Sequence, residues 1–303
     1  MPILPILNLK GGVAKTVTTV AIAECFASHG HRVLVIDADH QCMAGELVLG
    51  EKRQLQCESQ KKNFYDLLVR MLDDDFDPVS FGKFVTPNAS NIGGGLETLS
   101  VLPCSIRIDD IQTNVAKAKQ GFKTNDEFQR LWGRRRDQMK SWLNKNYDFV
   151  LIDCPPSLAP QVRFVMTIAD AFIVPTVPDQ LSVRGSLYLL SRLSTLGYRV
   201  TGLGTLWSLY REQNNMHKAI VAASRKGDSR LAGLPKPFET IIPNATKIAE
   251  TTDATASTPK SFSEKYTYQF AGLFNDLCEE ICKRAEWSPP EKVEKKAVKA
   301  SRA

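Results

Sequence analysis

Short apolar runs that stop abruptly at glycine or aspartate alternate along this chain with longer stretches in which apolar residues return every three or four positions. Residues 3–9 (ILPILNL) form the first run and stop at Lys10-Gly11-Gly12. Val17, Val20, Ala21, Ala23, Phe26 and Ala27 then recur at helical spacing until Gly30, and 32–36 (RVLVI) form a second run that leads into Asp37 and Asp39. Strand, glycine turn, helix and strand make a βαβ unit. Because these strands are continuously apolar rather than alternating, they imply a parallel sheet covered on both faces.

The same alternation continues less regularly. Residues 63–72 (NFYDLLVRML) have helical periodicity with Asn63 as N-cap, 73–77 and 89–95 read as loop, and a strand is expected near 96–102. Residues 126–143 read as a helix burying Phe128, Leu131, Trp132, Met139 and Trp142, followed by a strand over 147–152 that ends at Asp153. Strands are expected over 169–177 and 200–206, with a helix over about 182–196 between them. Phe270, Phe274, Leu277 and Ile281 mark a last amphipathic helix that ends before Trp287. The pattern predicts one α/β domain, a doubly wound and mostly parallel sheet with helices on both faces, over 1–287.

Composition narrows the class. With 43% apolar and 24% charged residues in 303, the chain can bury a substantial core. No run approaches the roughly 20 apolar residues of a membrane span, and the start lacks a basic region followed by an apolar one, so a cytoplasmic protein is expected. The seven cysteines are odd in number and scattered without CxxC pairs, which reads as reduced core thiols. The net charge of +6 is uneven: EKVEKKAVKASRA at the end carries five Lys/Arg against two Glu, and 288–303 is expected to be a basic disordered tail. The body is mildly basic, so nucleic-acid binding would need a local patch.

The chemistry-bearing segment is Lys10-Gly11-Gly12-Val13-Ala14-Lys15-Thr16, placed between a strand and a helix. Backbone N–H groups and a helix N-terminus there point at an anion. The standard G-x-x-x-x-G-K-[ST] loop is not met, because Leu9 and Ala14 stand at its glycine positions. Asp37 and Asp153 end apolar strands, and the second lies just before Pro155-Pro156. Aspartates there are often mere turn formers, but two strand-end acids favour a divalent-metal role.

The pattern K-G-G-x-x-K-T resembles the deviant phosphate loop of the ParA/MinD group of ATPases. So do VLVIDADHQ (33–41), YDFVLIDCPPSL (147–158), VPTVPDQLSVRG (174–185) and ETIIPNATKIAE (239–250), in order, through about residue 286. The chain departs from the group's pattern at His40 (usually proline), Val17 (usually threonine) and Cys42 (usually glycine or asparagine). His40 reads as a solvated loop residue. The resemblance implies a P-loop NTPase fold, ATP and Mg²⁺, with 10–17 (Lys10, Gly11, Gly12, Val13, Ala14, Lys15, Thr16 and Val17) binding the nucleotide. It also implies Lys15 on the β- and γ-phosphates, and Thr16, Asp37 and Asp153 around the metal. Asp39 would orient the attacking water, and Lys10 would reach a partner subunit's nucleotide.

A base-reading N-K-x-D segment for GTP is missing, since Asn144-Lys145 is followed by Asn146-Tyr147, so ATP is expected; 207–215 and 175–178 would border the adenine. The group implies an ATP-dependent homodimer that binds duplex DNA without sequence preference, is nucleoid-associated, and positions a plasmid, chromosome or other body. A ParB-like or cargo-adaptor partner would stimulate hydrolysis. Candidate DNA contacts are Arg225, Lys226, Arg230, Lys247, Lys260 and Lys265. A membrane-cycling MinD-like ATPase is the alternative, but the tail lacks Leu, Ile, Phe and Trp anchors, so no membrane partner is expected. A cluster-bearing electron-transfer ATPase using Cys104 and Cys154 is a third reading, disfavoured because its glycine-rich cluster loops are missing.

Overall fold

A computed structural model of the chain describes residues 1–251 and 258–288, apart from the side chains of Lys247 and Ala249. Its first half comprises β1 (Ile3–Ile6), α1 (Lys15–Ser28), β2 (Val33–Asp37), α2 (Met43–Leu49), α3 (Glu51–Ser59), α4 (Phe64–Arg70), β3 (Leu99–Leu102), α5 (Ile111–Gln120) and α6 (Asn125–Asn146). Then follow β4 (Phe149–Asp153), α7 (Pro160–Ile168), β5 (Ala171–Thr176), α8 (Gln180–Thr195), β6 (Thr201–Trp207), α9 (Asn215–Arg225), α10 (Thr246–Glu250) and α11 (Phe262–Arg284). The six strands form one parallel sheet in the order β3-β2-β4-β1-β5-β6.

Continuous apolarity of the strands has the expected consequence. Leu4, Ile6, Val33, Val35 and Leu151 face α1, α2 and α11, whereas Ile3, Leu34, Ile36, Val150 and Ile152 face the layer of α4 to α8. Alternate residues thus feed two cores on opposite faces. Helix α1 lies between the sheet and α11 and buries every residue from Thr18 to Ala27, which is why its sequence shows no clean polar face.

The expected strands and long helices are present within a few residues of their predicted ends. Asn63 does cap α4, its side chain accepting from Asp66 N at 2.9 Å. Helices α2, α3, α5, α7, α9 and α10 were not predicted. Of α3, EKRQLQCES, only Cys57 is buried, so it carries no apolar period to read. One irregularity matters below: α11 is interrupted at Thr267, whose backbone is left-handed (φ 60°, ψ 157°). Among the described residues, no helix is long and apolar enough to cross a membrane. Of the expected tail, 288–303, all but Ser288 lies outside the described residues.

Candidate nucleotide site at the carboxyl edge of the sheet

The order of strands reverses around β1, with β4 on one side and β5 on the other, and a crevice opens beyond their carboxyl ends. The loop after β1 lines it. Gly12 and Ala14 both adopt left-handed conformations (φ 69° and 60°), which curls the loop around an open space, and a Cβ at Gly11 or Gly12 would meet nothing within 4 Å. Helix α1 then starts without a side-chain cap, so its first amides are free to serve an anion.

Neighbouring elements brace this loop. Asn8, fully buried, accepts from Lys10 N at 3.0 Å and donates to Pro175 O at 2.6 Å. Ser208, just past β6, donates to Val13 O at 3.0 Å. The two segments expected to border an adenine are therefore tied to the loop through one residue each.

The charged side chains converge here. Thr16 Oγ1 donates to Asp153 Oδ2 at 2.7 Å. Asp37 and Asp153 are register partners on adjacent strands β2 and β4, both completely buried. Burial, then the nearness of Asp153, pushes the Asp37 carboxyl well above the usual range. Asp153 is pushed up to about 7 by burial and by Asp39, against the opposing Thr16 hydrogen bond and the Lys15 charge. Burial also lowers Lys15, despite the pull of Asp153 and Asp39, and its ammonium donates to Lys10 O at 3.3 Å. Two buried strand-end carboxyls destabilised as anions, beside a threonine hydroxyl and an uncapped helix start, suit a divalent cation carried by a polyphosphate. The donor set of Thr16, Asp37 and Asp153 is one that fits Mg²⁺.

Asp39 is nearly buried and sits in the turn leading to α2. Its Oδ1 accepts from Gln41 N at 3.0 Å, while Asp37 accepts from Asp39 N at 3.1 Å and from Gly45 N at 2.9 Å. His40 is exposed at that turn, its Nδ1 3.6 Å from Asp39 Oδ1. Gln161, at the start of α7, donates to Ala38 O at 3.3 Å.

Lys10 points away from the cradle. Its ammonium donates to Ser182 Oγ at 2.7 Å and pairs with Asp179 Oδ2 at 3.3 Å, at the capped start of α8. Although burial raises Asp179, the Ser182 amide and hydroxyl and then Lys10 hold it below the usual carboxylate range. Sequence reasoning missed Asp179 and Ser182 as partners of Lys10. The available signal, Asp179 three residues before Ser182 at a helix start, reports an N-cap and not a lysine site.

The expected DNA contacts separate. Arg225 ends α9, and Lys226 and Arg230 follow in the segment after it; Arg225 is 3.9 Å from Glu239, and Arg230 pairs with Asp228 at 2.7 Å. Lys260 is exposed. Lys265 is a correction: its side chain is 4% exposed and its ammonium pairs with Glu24 Oε1 at 2.7 Å, because the first turn of α11 faces α1, and it is not available to a phosphate. Lys247 lies on α10, with its side chain outside the described residues.

A loop that leaves room for a polyphosphate and strand-end acids that want a cation, at the carboxyl edge of a parallel sheet, define a phosphate-loop α/β nucleotide-binding protein. Comparison with known proteins agrees. A family model described as an AAA domain matches residues 1–201. The sporulation initiation inhibitor protein Soj of Bacillus subtilis is 28% identical over 82% of this chain and 86% of its own length. The chromosome partitioning protein ParA of Caulobacter vibrioides is 26% identical over 82% of each. A McdA–ATP complex from Cyanothece has the same fold, with a TM-score of 0.67 at 17% identity, over 96% of this chain and 98% of that one. The chain belongs to this AAA-domain family and is related to the ParA and Soj proteins.

Proposed function

We propose that the chain is a Mg²⁺-dependent ATP hydrolase that dimerises on ATP, binds duplex DNA without sequence preference, and positions a cargo through partner-stimulated hydrolysis. The observation that carries this reading is the convergence of the left-handed loop of Gly12 and Ala14, the buried Lys15, and Thr16 hydrogen-bonded to Asp153 beside Asp37. Similarity to ParA and Soj proteins supports partition or positioning as the purpose.

Each residue then has a part. The amides at the start of α1 and the Lys15 ammonium hold the phosphates. Thr16, Asp37 and Asp153 hold the cation, which when bound spreads phosphate charge and lowers the cost of charge movement at the transferred group. Asp39, fixed by the amides of its turn, orients the attacking water. Lys10 leaves Asp179 and Ser182 and turns to the phosphates of a partner subunit. DNA is held through the exposed Arg225–Arg230 turn, with Lys260 contributing, and the working location is the nucleoid. The ATPase domain spans 1–287 and the basic tail 288–303.

The test is hydrolysis and DNA co-sedimentation with ATP, ADP and no nucleotide. Asp39→Ala is expected to keep ATP binding and accumulate as an ATP-bound dimer, with turnover down by about a hundredfold. Replacing Arg225, Lys226 and Arg230 together by Glu is expected to flatten the salt dependence of DNA binding, by about 0.9 in log–log slope per lost phosphate contact, with nucleotide affinity intact. Equal DNA binding with ATP and ADP, or normal turnover in Asp39→Ala, overturns the reading.

A further inference from the structure

Gln161 is a polar residue buried where neither the core nor its own helix needs it. Its side chain lies at the start of α7 and the residue is 1% exposed. Its Oε1 accepts from no donor among the described residues, and its amide makes a single hydrogen bond, from Nε2 to Ala38 O at 3.3 Å. The helix does not use it as a cap: Ala159 stands at the N-cap without a side-chain bond, and Pro160 follows as the first helical residue. A buried carbonyl oxygen without a donor lowers the stability of a folded chain, a cost that an apolar side chain of the same length would not carry. What Gln161 contributes therefore lies at Ala38.

Ala38 is wholly buried between the two aspartates that follow β2. The peptide joining it to Asp39 is one rigid plane, with Ala38 O at one end and Asp39 N at the other. Gln161 donates to the first, and Asp37 Oδ1 accepts from the second at 3.1 Å. Ala38 N, on the preceding peptide, donates to Asp153 O at 2.9 Å. The chain leaving β4 thus holds Ala38 twice, through Asp153 and through Gln161.

The orientation of that plane sets the direction in which Asp39 leaves the backbone. Beyond it, Cys42 N donates to Asp39 O at 2.9 Å and Gln41 N to Asp39 Oδ1 at 3.0 Å, so a fixed plane gives a fixed carboxylate. Of the two side chains on the plane, Asp37 belongs to the candidate cation site, whereas Gln161 is uncharged and carried by a helix.

We propose that Gln161 is a positioning residue for hydrolysis, which locks the Ala38–Asp39 peptide plane from α7 and thereby aims the Asp39 carboxylate. The effect on hydrolysis rests on the role proposed for Asp39; the grip on the peptide plane does not.

The experiment compares the full chain with Gln161→Met, which keeps the side-chain length and removes both the donor and the unpaired acceptor. Three quantities are measured: ATP hydrolysis with Mg²⁺, the urea midpoint, and hydrogen–deuterium exchange of peptides covering 38–45 without nucleotide. In the variant kcat is expected to fall about tenfold, with KM for ATP within about twofold of the parent. The urea midpoint is expected to stay level or rise, because the unpaired oxygen is gone. Exchange over 38–45 is expected to quicken about threefold or more, with α1 and α11 unchanged. A kcat within about twofold of the parent overturns the positioning role, as does a raised KM with kcat kept. A lowered urea midpoint with faster exchange throughout the chain makes Gln161 a structural residue and also overturns it. A parent chain without ATPase activity, or normal turnover in Asp39→Ala, counts against the proposed function. Exchange over 38–45 still decides the grip in that case, and an unchanged rate there overturns it.

Discussion

The molecule buries carboxylates in two places and treats them in opposite ways. Beneath α11, Glu24 is wholly buried on α1 and receives the Lys265 ammonium at 2.7 Å, the Tyr266 hydroxyl at 2.7 Å and the Ser90 hydroxyl at 2.5 Å. At the carboxyl edge, Asp37 and Asp153 lie side by side in the sheet, and the cationic side chain acting on Asp153, Lys15, is itself weakened by burial. A charge surrounded by donors is finished structure. A pair of charges short of compensation is a place where a ligand completes the electrostatics.

The break at Thr267 shows how the first site is assembled. A left-handed residue there separates the opening turn of α11 from the rest, and that turn carries both Lys265 and Tyr266 onto Glu24. Burial and the Glu24 charge push the Tyr266 hydroxyl well above its ordinary range, so it remains a donor.

Glu24→Leu is the largest test of this contrast. It leaves a buried ammonium alone and is expected to cost about 3–5 kcal/mol in urea unfolding, with turnover per folded molecule retained. Adding Lys265→Met is expected to recover most of that loss, since an apolar pair replaces an ion pair at little net cost. A stability loss under 1 kcal/mol in the single variant, or no recovery in the double, breaks the comparison.

The paired aspartates make the opposite prediction. Asp153 has its folded pKa raised above the ordinary carboxylate value, to about 7, so between the two values the folded chain binds the extra proton. Stability therefore falls as pH rises through that window and levels off above it, by on the order of 4 kcal/mol from this group. Asp153→Asn is expected to flatten the fall in chelator-treated protein. Identical pH slopes in the two proteins would show that the site holds its charges without strain.

The half-buried pair of Lys10 and Asp179 is the smallest test. Its side chains are 36% and 27% exposed, so Asp179→Asn is expected to change the unfolding free energy by less than about 1 kcal/mol. The same change removes the charge that holds Lys10, leaving only its bond to Ser182, and is expected to shift turnover or the ATP-dependent dimer equilibrium measurably. Altered stability with unaltered turnover would make this contact purely structural.

Much of the catalytic edge was legible because its chemistry is local. Lys10 to Thr16 lie between one strand and one helix, and Asp37 and Asp153 each end a strand, so periodicity and punctuation place them. The basic surface was not legible to the same degree. Lys265 reads in sequence as another exposed cation, and nothing nearby announces Glu24, which is 241 residues away along the chain.

The sequence by itself determined the alternation of strands and helices, the phosphate loop and the strand-end acids, because each depends on spacing within a few residues. Tertiary structure alone decided that β1 lies between β4 and β5, that Lys10 rests on Asp179 and Ser182, and that Lys265 is interior. Those facts depend on which distant segments share a face once the sheet closes and its two cores fill. No local pattern carries that information, since the same side chain is a solvated charge or a buried partner according to what packs above it.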